Sequence, residues 1–121
     1  GVGNGGKVLI STDELGQKAG AVAFTAQSLD EYPEEIKAVF RAYNAGVAYL
    51  QTEPVDSYAD YIVEAQGFPA GTQDSLELPA YKEAQPPETR IVADVLEWMK
   101  GKGLIEGNYE YKDLVDDKVL R

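Results

Sequence analysis

Pro33 to Gln51 reads PEEIKAVFRAYNAGVAYLQ, the longest uninterrupted helical pattern in the chain. Ile36, Val39, Phe40, Tyr43, Val47 and Leu50 fall on one stripe at the three- and four-residue spacings of a helix face. Pro33 suits a first helical position, where a missing N–H costs nothing, and Glu34 and Glu35 complement the positive end of the helix dipole. Pro54 stops the pattern. Ala38, Ala42, Ala45, Gly46 and Ala48 thin part of its surface, so another element can approach closely. Gly46 costs about 1 kcal/mol relative to Ala inside a helix, which suggests a packing reason for it.

Around this helix the chain has 121 residues, enough for a single domain, 1–121, with a modest core. It is 44% apolar and 26% charged, the composition of a folded soluble protein. The formal net charge of −10 argues against nucleic acid and against anionic lipid, both of which demand an excess of Lys and Arg. Histidine and cysteine are both absent. That removes Ser-His-Asp and Cys-His catalysis and the usual zinc sites, and no cofactor or metal is expected. No apolar run approaches the length of a membrane span. A start at Gly1-Val2-Gly3-Asn4-Gly5-Gly6, without methionine, favours a truncated chain.

Gly1, Gly3 and Gly6 spell G-x-G-x-x-G, but a dinucleotide fingerprint follows a strand and opens a helix, whereas here the glycines precede the expected strand. Lys7 to Ser11, KVLIS, reads as a short buried strand, and Ala19 to Thr25, AGAVAFT, as a second one buried on both faces. Ser28 to Tyr32 is a helical turn, with Ser28 and Glu31 at capping-box spacing. A second helix is expected over Val55 to Gln66, stopped by Gly67, and a short one from a Thr72 cap through Leu78. A third strong helix spans Pro87 to Lys100 on Ile91, Val92, Val95, Leu96 and Met99, with Trp98 flanking the stripe and Gly101 and Gly103 ending it. One or two last helical turns fall between Glu110 and Val119. The fold class is therefore α/β: two N-terminal strands, then three main helices plus short ones. Two strands cannot hide their edges or bury their faces alone, so they belong to a larger sheet, and the helical part is expected to be self-sufficient.

The order of these features resembles the C-terminal part of the solute-binding proteins of ABC transporters, in particular the taurine, alkanesulfonate, nitrate and thiamine-precursor binders. The residues that carry the resemblance are Asp30-Glu31-Tyr32-Pro33-Glu34, then Ala42, Ala45 and Ala48, then Thr52-Glu53-Pro54. Ile91 to Leu104, IVADVLEWMKGKGL, and Tyr111 to Asp116, YKDLVD, extend it through the tail. The match covers roughly the last hundred residues and is distributed rather than concentrated in one motif. It implies a two-lobe periplasmic-binding-protein fold with the ligand between the lobes. It also implies no catalysis, a small-molecule ligand held by the full-length protein, an ABC permease as partner, and a periplasmic or membrane-anchored lipoprotein setting. Most of the family's sheet lies N-terminal to this stretch, which implies truncation or proteolysis of a longer protein. The exposed strand edges could also pair two copies.

Ligands of open α/β sheets sit at the C-terminal ends of strands, which singles out Ser11, Thr12 and Asp13, and secondarily Thr25 and Gln27. Turn and cap chemistry is the competing reading for Ser11 to Asp13 and carries more weight. Asp113, Asp116 and Asp117 lack calcium-loop spacing and its glycine, so a solvated face is expected. Tyr43 and Tyr58 are expected in the core, Tyr49 and Tyr61 at the surface. Arg41, Arg90 and Arg121 form no clamp in the sequence. Two alternatives stay open beside a solute-binding segment: an enzyme of thiamine-precursor synthesis on the same fold, and an independent helical interaction module.

Overall fold

A computed structural model describes residues 5–10, 14 and 20–120. Five α-helices follow one another: α1 (Ala26–Glu31), α2 (Pro33–Thr52), α3 (Ala59–Gln66), α4 (Thr89–Gly101) and α5 (Tyr111–Leu114). Among the described residues, 3-10 helices punctuate them at Val55–Ser57, Thr72–Ser75 and Lys118–Leu120.

The expected α/β class is not seen. The described residues form no strand, and the chain is mainly helical. Residues 7–10 of the first expected strand are irregular and exposed, Leu9 to 95%. Residues 20–25 of the second are irregular too, with Val22 exposed. The physical reason is that a strand exists only through its ladder. Apolar β-branched runs supply propensity, but without a partner strand their N–H and C=O groups have nothing regular to pair with.

The chain divides into two compact units. One is Asp30–Gln85 with Val119–Arg121; the other is Gly1–Leu29 with Pro86–Lys118. In the first unit, α2 starts with Pro33 in its opening turn and ends where Glu53 turns extended ahead of Pro54. Ile36 (5% exposed) and Val47 (3%) are its buried residues, while Val39 and Tyr43 from the same expected stripe are exposed. The covered line runs through 36, 40, 44, 47 and 50, so it includes Asn44. The thin face is open: Ala38, Ala42, Ala45 and Ala48 are exposed, and a Cβ on Gly46 would meet nothing within 4 Å. Gly46 therefore has no packing role among the described residues.

The helix expected over Val55–Gln66 is broken at Tyr58, whose φ of −136° and ψ of −6° leave the helical region. The Pro54 carbonyl accepts both the Ser57 N–H (3.0 Å) and the Ser57 hydroxyl (2.8 Å), so it is saturated before a regular helix can use it. The break turns Tyr58 and Ala59 inward, and both are buried with Val63. Gly67 then ends α3 in the left-handed conformation (φ 64°), with Phe68 N–H on Val63 O and Gly67 N–H on Glu64 O, a Schellman stop. The expected helix through Leu78 stops at Ser75. The Thr72 hydroxyl does not cap it; it donates to Pro69 O at 2.6 Å.

In the second unit, α1 is capped by Thr25 rather than by a Ser28–Glu31 box: Thr25 Oγ1 accepts the Ser28 N–H at 3.1 Å. Helix α4 ends at Gly101, and Gly103 (φ 67°) completes the expected glycine stop, with Leu104 N–H on Met99 O and Gly103 N–H on Lys100 O. No residue of α4 is buried. Ile91, Val92, Leu96 and Met99 are half-buried, and Val95 and Trp98 are exposed, Trp98 to 59%. Short α5 carries a capping box, in which Asp113 Oδ2 accepts the Glu110 N–H at 2.8 Å.

Candidate functional site

The expected ligand residues Ser11, Thr12 and Asp13 lie outside the described residues. Thr25 and Gln27 sit at the entry of α1, both exposed. The Thr25 hydroxyl is engaged locally, 2.8 Å from the Ser28 hydroxyl and accepting the Ser28 amide. No described strand ends beside them, so the rule that led to these two residues has no sheet to act through.

The remaining candidates are spread over the surface. Asp113 caps α5, and Asp116 pairs with Lys118 at 3.0 Å. Among the described residues no group of three or more acidic side chains is placed to hold a metal ion. Arg90 pairs with Asp94 one turn along α4, and Lys37 with Glu34 on α2, each at 3.0 Å. Such exposed pairs contribute little. Arg121 lies outside the described residues. Tyr61 and Tyr49 are exposed as expected, and Tyr58 is buried as expected. Tyr43 is not a core residue; it is 44% exposed and uses its hydroxyl instead.

That hydroxyl belongs to the best-defined arrangement in the first unit. Residues 76–88 run without helix, and part of this strap is held against α2 by side chains of the helix acting on its main chain. Tyr43 donates to Lys82 O (3.1 Å), Asn44 Oδ1 accepts the Ala84 N–H (2.7 Å), and Gln51 Nε2 reaches Tyr81 O at 3.5 Å. The three helix positions lie at 43, 44 and 51, along one side of α2. The sequence reading missed Asn44 and Gln51. The available signal was a polar residue four after Phe40 and three before Val47, a site the helical period assigns to the covered line.

Where the strap passes the C-terminal half of α2 it leaves a hollow of about 560 Å³. Val47, Leu50 and Val55 form one side, Leu76 to Tyr81 the other, and Tyr58 and Gln51 also line it. The Tyr58 ring is braced by Tyr49, with centroids 6.1 Å apart and planes at 59°. Glu77 supplies the single ionisable charge on the wall, and no Lys or Arg lines it. The surrounding segment 30–85 carries eleven acids and three bases, a net −8. In the second unit a shallower hollow of about 480 Å³ lies between α4 and the segment from Ile105 to Tyr111. Its walls mix Glu97, Lys100 and Glu110 with Val92, Leu96 and Tyr109. Lys100 Nζ is hydrogen-bonded to Asn108 Oδ1, and Tyr111 donates to Pro87 O at 2.8 Å.

No family model, curated protein or solved structure matches the chain. The chemistry has therefore to be argued from these residues. Neither hollow gathers a nucleophile beside a base. What the first can do is hold a small molecule between walls that mix aliphatic side chains with a hydroxyl, an amide and a carboxylate. No described helix is long and apolar enough to cross a membrane.

Proposed function

We propose that the chain is a C-terminal segment of the substrate-binding component of an ABC importer, binding a small organic molecule or anion in the complete protein without catalysis. The observation that carries this reading is the passage Asp30 to Pro54, where the resemblance is densest. Asp30-Glu31 closes α1, and Pro33 opens α2, which runs to Thr52 and is left through Glu53-Pro54. The tail supports it as well: Ile91 to Gly101 lies in α4, whose exit passes through Gly103 in the left-handed conformation, and Tyr111 opens α5. The reading rests on the helices alone, since the two expected strands are absent from the described residues. In such a protein, ligand would favour a closed arrangement of the lobes, and the closed form would dock on the permease.

The experiment is equilibrium dialysis of the full gene product against taurine, an alkanesulfonate, nitrate and a pyrimidine, with the ligand analysed afterwards. Saturable binding of one of these, recovered unchanged, is the expected result. Conversion of the pyrimidine would favour the enzyme reading, and failure of all four to bind would overturn the proposal. A second reading, a helical interaction module, is favoured by the exposed Val95, Trp98 and Leu104 of α4 and its exit. A stoichiometric protein complex that shields Trp98 in the absence of any ligand would support it.

A further inference from the structure

The hollow between α2 and the strap lies wholly within Asp30–Gln85 and owes nothing to the importer reading. We infer that it is a site for a small organic cation with an apolar body, such as a quaternary or aryl-alkyl ammonium. Three observations point the same way. Its volume of about 560 Å³ suits a single small molecule, and its walls mix aliphatic side chains with polar surface in comparable share. Two aromatic rings line it, Tyr58 buried and braced by Tyr49, Tyr81 half open on the strap. A cation set against such rings is attracted by their negative faces.

The third observation sets the sign. Glu77 is the one charged group of the wall, and the net −8 of segment 30–85 adds a field that concentrates cations and repels anions. The nearest base in sequence, Lys82, meets α2 through its carbonyl oxygen, and its side chain is not part of the lining. The Gln51 contact to Tyr81 O ties the strap at the rim, so the aromatic wall on that side is positioned by the helix. The side chains of Tyr43 and Asn44 anchor the strap further on, through the main chain of Lys82 and Ala84. The site is thus built by the strap's attachment to α2 and does not depend on the second unit.

The test is an NMR titration of the 121-residue chain with benzyltrimethylammonium, benzyl alcohol and benzoate, following the backbone amides. Saturable shifts confined to the lining, around Val47, Gln51, Tyr58 and Glu77, are expected for the ammonium. It should bind about threefold to fivefold more tightly than the alcohol, the range of one cation–aromatic contact with a partly exposed carboxylate nearby. Benzoate should be weakest. Glu77→Gln, an exposed and conservative change, should narrow the ammonium's advantage over the alcohol to what the two rings supply. Tyr81→Ala should weaken both. Shifts scattered over the acidic surface, benzoate binding as tightly as the ammonium, or an ammonium preference that Glu77→Gln leaves undiminished would each overturn the assignment. Because the readout is the isolated chain, it fails or succeeds independently of transport.

Discussion

Asn44 is the residue on which the strap depends. Its Oδ1 takes the Ala84 N–H at 2.7 Å in a half-buried position, so Asn44→Ala leaves a partly desolvated donor with no replacement. We expect a loss of about 1–2 kcal/mol of stability, read by urea denaturation, with selectively faster exchange of the Ala84 amide. A variant that loses stability while Ala84 stays protected would show that the bond is incidental. Gly67 is a second residue with a definite prediction. Its φ of 64° suits glycine, yet nothing lies within 4 Å of where a Cβ would sit. Gly67→Ala should therefore cost about 1 kcal/mol through the backbone alone, with no steric component, and Gly67→Asn should recover part of it. Thermal melts of the three proteins provide the check. The glycine was legible from its place after a helical pattern. Asn44 was not, because its partner is a main-chain amide 40 residues away. A backbone group carries no signature in a side-chain pattern.

At the scale of elements, α2 shows what periodicity can and cannot decide. Pro33, Glu34, Glu35 and Pro54 mark its ends in the sequence, and the helix observes them. The stripe was placed within a residue of the truth, but which of its members are covered depends on what lies above them. Val39 and Tyr43 stay exposed, Tyr43 touching the strap through its hydroxyl, while Phe40, Asn44 and Val47 are partly or fully covered. The small-residue face gives a direct test. Gly46→Ala should stabilise the chain by about 0.5–1 kcal/mol, because the glycine has no neighbour to accommodate and alanine restricts the unfolded backbone. Destabilisation, measured by the same urea titration, would mean that another surface approaches this face after all. The break at Tyr58 was illegible for a different reason. Val55 to Gln66 carries a continuous helical pattern, and the competition of the Ser57 hydroxyl for Pro54 O is a local bond that periodicity does not see.

For the whole molecule, the decisive fact is where burial occurs. Among the described residues six are buried, Ile36, Val47, Tyr58, Ala59, Val63 and Val119, and all fall in the unit built on α2 and α3. The unit containing α4 has none among its described residues. The two units should accordingly differ in local stability: amides of α2 and α3 should exchange more slowly than those of α4. Trp98, the single tryptophan, should emit as a water-exposed indole and be quenched readily by acrylamide. A blue-shifted, poorly quenched Trp98 in the native chain would contradict this exposure, and the same shift appearing only in a complex would report a partner on α4. The bounds of α2, the two glycine stops and the acidic field could be read from the sequence alone, because each is set by residues within a few positions or by simple charge. The strands could not, because a ladder needs a second chain segment that propensity does not supply. Nor could the strap and its hollow, which exist only where three helix side chains meet main-chain atoms 30 to 40 residues away.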